Sequence, residues 1–376
     1  MDDVYVRLAK KLDAQPNGFP ATGDGVELKI LRKIFSPEEA AMALKLKPLP
    51  ETAETIASRL RLPVDEMRRT LDRMAERGEI SAFRMAGQHL YMFVPFVVGI
   101  YEFQVDRMDK ELAELFEAYL PTLMPELGGK KPSLARVVPV NAPIQAKAEV
   151  LPHEDVRAML AQAKAFRVAE CICRKEKGLL GHPCSHTLET CMSFSREENA
   201  YEGIPPWGRE VSRDEALAVI DTAEREGLVH CTYNSRTDPF FVCNCCSCCC
   251  GFLRAVKEFG APYALARSNY VSRIEASTCT TCGECASPRC PMDAIAASDG
   301  VYRVDEERCI GCGACAAVCP ADAIALEPRP LRERTTPPKT VVHWSLDRAT
   351  ERKGALYGLA LRGWLAWEVA KAKLAR

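Results

Sequence analysis

Residues 279–325 carry one cysteine pattern twice, "CTTCGECASPRCPMDAI" and then "CIGCGACAAVCPADAI", with the first cysteines offset by 30 residues. No hydrophobic period in the chain constrains its folding as tightly. Three thiols on one tight loop converge on a point, and a fourth must arrive from elsewhere to close a cage around whatever they hold. Gly283, Gly311 and Gly313 supply the backbone freedom such loops need, and Pro291 and Pro320 turn the chain away after the fourth cysteine. The second copy reads C-x2-C-x2-C-x3-C-P, whereas the first has one residue more, "ASPR", between Cys285 and Cys290. A bulge is expected to absorb it.

The spacing resembles that of bacterial two-cluster [4Fe-4S] ferredoxins, in which the fourth cysteine of each motif ligates the other cluster. Over residues 275–325 the resemblance implies one cubane on Cys279, Cys282, Cys285 and Cys319, and another on Cys309, Cys312, Cys315 and Cys290. A zinc ribbon fits less well, because zinc sites rarely repeat a fourfold pattern ending in Cys-Pro. Two such clusters in one small fold make an electron wire. By themselves they perform no substrate chemistry.

None of the 19 cysteines lies before Cys171 or after Cys319, and 11 remain after the eight of the repeat. Cys171, Cys173, Cys184 and Cys191 fall in "CICRKEKGLLGHPCSHTLETC", where Arg174, Lys175 and Lys177 favour thiolates. This group is expected to hold a further cubane, with a structural zinc site involving His182 or His186 as the alternative. Then "CNCCSCCC" supplies Cys243, Cys245, Cys246, Cys248, Cys249 and Cys250. Adjacent side chains of an extended segment face opposite ways. The segment is therefore read as a strip that feeds two metal sites together with the first group, or that builds one larger non-cubane centre. One or two additional iron-sulfur clusters are expected, and Cys231 is left without a role. "CICRKEKG", "CNCCSCCC" and the repeat together resemble a group of [4Fe-4S] proteins of anaerobic bacteria, which implies electron transfer. The paired cysteines are also similar to the cysteine-rich domains of heterodisulfide reductases, which implies a non-cubane cluster.

Elsewhere the signals are weaker. Ser36, Pro37 and Glu39 form a capping box that opens a helix, "TAETIASRL" and "VDEMRRTLDRMAERG" predict two more, and "EISAFRMAGQHLYMFVP" predicts a hairpin around Gly87. This order resembles a winged helix-turn-helix domain, which implies DNA contacts by Arg68, Arg69, Arg73 and Arg77. With 15 basic and 14 acidic side chains in residues 1–100, the basic footprint of a DNA-binding domain is missing, and docking is the favoured role. A second capping box, Ser212 and Glu215, opens "RDEALAVIDTAEREG". The prolines between 121 and 143 read as an extended linker. Trp344, Trp364 and Trp367 lie in a basic tail that predicts an amphipathic helix packed on its own protein, on a partner or on a membrane surface.

The acidic start "MDDVYVRLAK" lacks the features of a signal peptide, no run of about 18 apolar residues is present, and dense cysteine suits a reducing compartment, so a cytoplasmic location is expected. No nucleotide fingerprint is apparent. The expected fold is α+β: a winged-helix-like domain (1–110), an extended linker (111–150), a cysteine-rich, mainly helical domain (151–270), a two-cluster ferredoxin domain (271–328), and a linker with a helical tail (329–376). The expected function is single-electron transfer to or from a partner oxidoreductase. A reductase with a catalytic cysteine-rich centre and a redox-sensing DNA-binding regulator are the alternatives.

Overall fold

A computed structural model describes residues 3–140, 151–205, 207–298 and 300–374. Its elements mix helix and sheet, as an α+β chain should. The N-terminal part runs α1 (Val4–Asp13), α2 (Val26–Ile34), α3 (Pro37–Ala43), α4 (Ala53–Leu60), α5 (Val64–Glu76), β1 (Ser81–Met85) and β2 (Gln88–Met92). Ser36 and Glu39 form the reciprocal capping box at the start of α3. In α5, Met67, Leu71 and Met74 are buried on one face, each adding roughly 1.5–3 kcal/mol of hydrophobic stabilisation. The hairpin pairs Met85 with Gln88 and turns on Ala86 and Gly87, both at positive φ.

The next element corrects the expectation of an extended linker from 111 onward. Helix α6 (Lys110–Gly128) runs straight through Pro121 and Pro125. Each proline costs about 3 kcal/mol inside a helix, but α6 buries Leu112, Phe116, Tyr119, Leu120, Leu123, Met124 and Leu127, and packing outweighs that local penalty. It packs against α2 on one side and against α8 (Ile172–Leu179) and α10 (Gly251–Lys257) on the other. Strand β3 (Ala135–Val138) follows, and the remainder of the expected linker, residues 141–150 with Pro143, lies outside the described residues.

The cysteine-rich part is also corrected, from mainly helical to sheet-based. After α7 (Val156–Ala161) come β4 (Ala165–Glu170), α8, β5 (Glu189–Ser195), β6 (Arg209–Val211), α9 (Arg213–Glu226), β7 (Val229–Tyr233), β8 (Phe241–Cys245), α10 and β9 (Leu265–Ala266). With β3 they build a seven-stranded sheet in the order β6-β4-β5-β8-β7-β3-β9, antiparallel except for the β3–β9 pair. The strands are short, and the cysteines among their alternating residues masked the period-2 signal. Helix α9, opened by the Ser212–Glu215 box, covers one face of β4, β5 and β7.

The cysteine repeat occupies β10 (Tyr270–Ile274), β11 (Ile295–Ser298), β12 (Val301–Val304) and β13 (Ile324–Pro328), paired as β10–β13 and β11–β12. The tail forms two helices rather than one, α11 (Val341–Lys353) and α12 (Ala355–Leu374), divided at Gly354 with φ 91°. Helix α11 packs on its own chain: Trp344 is fully buried, stands edge-on to Tyr233, and donates its indole N–H to the Ser133 carbonyl at 2.7 Å. Arg348 donates to the carbonyls of Glu126 and Leu127 at the end of α6. No helix among the described residues is long and apolar enough to cross a membrane.

Candidate metal centres

The repeat brings its eight cysteines together as two sets. Cys290, Cys309, Cys312 and Cys315 line one cavity with Ser272, Met292, Ile295 and Ile310, while Cys279, Cys282, Cys285 and Cys319 line another with Ile274, Tyr302 and Ile324. Gly311 holds φ 68°, and a Cβ there would lie 2.2 Å from both Ser268 Oγ and the Tyr270 carbonyl oxygen, so only glycine fits this loop.

The extra residue in "ASPR" is absorbed by a wider turn. In the second copy the Cys319 amide donates to the Ala316 carbonyl three residues back, whereas in the first the Cys290 amide reaches Ala286, four residues back. The sulfurs end in matching environments: the Ala294 N–H donates to Cys290 Sγ at 3.2 Å, and the Ala323 N–H to Cys319 Sγ at 3.3 Å. Ser272 Oγ lies 3.2 Å from Cys315 Sγ. Burial pushes the Cys315 thiol up to about 12 and the Cys312 thiol higher still. Such thiols ionise only against a compensating cation. Apolar walls, convergent sulfurs and amide donors to sulfur suit a thiolate-held cluster in each cavity.

The upstream cysteines divide differently from the expectation. Cys243, Cys191, Cys171, Cys173, Cys250, Cys245 and Cys231 form a continuous row in which each thiol interacts with the next. Cys184 is not part of it. Together with His186, Cys246 and Cys248 it forms a separate group whose donor atoms all lie within 4.8 Å of one another. The row rises from strands β5, β7 and β8 and from the starts of helices α8 and α10 beside them. The second group comes from two irregular segments, the α8–β5 loop and the turn after β8. Grouping by sequence distance failed here because Cys191 is held in β5 while Cys184 lies in the irregular loop before it.

Arg174 sits between the two groups, buried, donating to the Thr187 carbonyl and Thr190 Oγ1 and to the Asn244 carbonyl. Hydrogen bonds from Cys173 and Cys191, with the guanidinium beside it, hold the Cys171 thiol far below the ordinary thiol range. The hydrogen bond from Cys249, helped by Arg174, brings Cys246 down to about 4. One cation thus favours one thiolate in each group. Below Cys173, the Tyr101 hydroxyl donates to the Glu176 carboxyl, which burial pushes up to about 8.

Cys231 had no role in the sequence reading, and a single cysteine in a strand carries no motif that could have assigned one. It is buried where the row meets the repeat: Cys231, Cys245 and Cys250 share one apolar core with Cys285, Cys290, Cys309, Cys312 and Cys315. His186 joins the second group, in which Cys184-x-His186 and Cys246-x-Cys248 are chelating spacings. His182 is exposed and outside this group.

The family model described as a 4Fe-4S binding domain matches residues 302–325, which include Cys309, Cys312, Cys315 and Cys319. No curated protein and no solved structure matches the chain. The chain therefore carries a 4Fe-4S binding domain with at least one [4Fe-4S]-type cluster, and its other thiol groups fit further metal centres.

Proposed function

We propose that the protein moves single electrons between a partner redox protein and a buried thiol-ligated centre, along two clusters held by the cysteine repeat. The observation that carries this reading is the shared core of Cys312, Cys315, Cys231, Cys245 and Cys250, which makes the repeat and the thiol row contiguous. A [4Fe-4S] cluster supplies one-electron exchange with little rearrangement. Around it, the chain's residues set direction. Cys282 is exposed, so the set with Cys279, Cys285 and Cys319 faces an incoming partner, whereas Cys309, Cys312 and Cys315 are buried and face inward. The seven thiols of the row exceed a cubane's four positions, which favours a larger or non-cubane centre there.

The N-terminal part, with its winged-helix-like order, serves as a scaffold in this reading rather than as a DNA reader. Arg77, just past the end of α5, pairs with Glu79 at 2.7 Å and with Glu39 at 3.4 Å, and Arg68 of α5 pairs with Glu54. The hairpin tip is occupied too, since the Ala86 amide donates to the Glu197 carboxylate at 2.9 Å and Arg84 pairs with Glu202 at 2.9 Å.

Iron and sulfide quantitation with Mössbauer spectroscopy on the anaerobically purified full chain tests the proposal. More than about eight irons per chain, with spin coupling between the repeat and a further centre on partial reduction, is the expected result. Eight irons and no coupled centre would end the reading.

A further inference from the structure

The group Cys184, His186, Cys246 and Cys248 has dimensions that a cubane does not. Cys184 Sγ lies 3.7 Å from Cys246 Sγ and 3.6 Å from Cys248 Sγ, and 3.1 Å from His186 Nδ1. Thiolates bound 2.3 Å from one tetrahedral ion stand about 3.8 Å apart, because that is the edge of the tetrahedron. A cubane places a separate iron behind each thiolate and spreads them well beyond contact. The spacing therefore selects a single ion.

Position supports the same conclusion. Residues 180–188 form a largely exposed loop with no apolar core of its own, and the turn after β8 is equally irregular. The apolar cluster the two segments share is small: Cys246 and Cys249 with Ala223 and Leu228, against which Cys184 packs. Two Cys-x-(Cys/His) chelates, one from each segment, would pin loop to turn through a shared ion, and their donors together make the Cys3His set of structural zinc sites. Cys249 Sγ is 3.6 Å from Cys248 Sγ, but Cys249 is not part of the group whose donor atoms all lie close together.

We propose that Cys184, His186, Cys246 and Cys248 bind one zinc ion, separate from the iron-sulfur centres and structural in role. The ion stays divalent, so it carries no electron; it fixes the rim of the cysteine-rich part. This inference is independent of the electron-transfer reading.

The test is metal analysis with zinc K-edge X-ray absorption on the full-length protein, purified anaerobically, beside the variants Cys248→Ser, His186→Ala and Cys249→Ser. About one zinc per chain is expected, with three sulfur neighbours near 2.3 Å and one nitrogen near 2.0 Å. Cys248→Ser and His186→Ala should each weaken zinc retention by about tenfold or more against a competing chelator, while iron and sulfide stay at wild-type levels and so report an intact fold. Cys249→Ser should keep its zinc. The proposal is overturned if zinc is absent, if Cys248→Ser removes about four irons with their sulfide, or if a lone iron occupies the site as a Mössbauer component without sulfide.

Discussion

Arg174 donates from Nη2 to the backbone carbonyl of Asn244 at 2.7 Å, tying the helix that follows Cys171 and carries Cys173 to the strand that carries Cys243 and Cys245. The same guanidinium also holds Thr187 in the loop after Cys184 and Thr190 at the start of β5. One buried side chain therefore sets the spacing of both upstream thiol groups.

Arg174→Ala should disturb both groups at once. It leaves buried acceptors unpaired and removes the cation beside Cys171 and Cys246, at a cost of about 3–5 kcal/mol. Arg174→Lys, a point charge without the planar fork, should recover only part of this. Denaturant midpoints of the anaerobic protein, read with its metal content, check the order wild type, Lys, Ala.

Glu117 on α6 accepts from Lys177 of α8 and Arg254 of α10, both at 2.8 Å. Burial alone would raise its carboxyl, but the hydrogen bonds from Arg254 and Lys177 outweigh burial and hold it at about 2, against an ordinary value of 4.5. A depressed carboxyl stabilises the fold fully above its unfolded value and loses that contribution as pH falls through the folded one. Glu117→Gln should thus be less stable than wild type by a constant margin of about 1–3 kcal/mol above pH 5. The margin should shrink as acidity approaches pH 2. Urea unfolding across a pH series measures it.

Gly311→Ala should cost the cluster set of Cys309, Cys312 and Cys315, because a Cβ at φ 68° meets Ser268 and Tyr270 at 2.2 Å. Gly300→Ala has a similar φ of 75° but open space around it, and should cost only about 1 kcal/mol. Iron content separates the two: a loss of about four irons is expected for the first and none for the second.

Arg289, in the widened turn of the first repeat, donates to the Glu224 and Arg225 carbonyls at the end of α9, at 2.9 and 2.8 Å, and to the Ala314 carbonyl at 2.7 Å. It joins the cysteine repeat to the sheet through a helix C-terminus, where a cation is favoured. Arg289→Ala should destabilise by about 1–2 kcal/mol. It should also weaken spin relaxation between the repeat and the thiol row, seen in microwave power saturation, while leaving the iron count unchanged.

Several features were legible in the residue order because they depend on near neighbours. Both capping boxes, the buried stripe of α5 and the turn at Gly87 follow from spacings of a few residues, and each is present. The α6 helix was not legible: Pro121 and Pro125 argue against it locally, and only burial against α2, α8 and α10 overrides them. The seven-stranded sheet was missed for a related reason, since its short strands pair across long separations, as β3 does with β7.

By itself, the sequence determined the repeated cysteine spacing, whose resemblance to two-cluster ferredoxins implied the two interleaved sets that line separate cavities. Tertiary structure alone decided how the other cysteines divide. Cys184 leaves its sequence neighbours for Cys246 and Cys248, and Cys231 joins a row that ends against Cys312. Ligand spacing is a property of the chain only while the chain stays local; once Cys191 is fixed in a strand and Cys184 is left in the loop before it, packing determines which sulfurs meet.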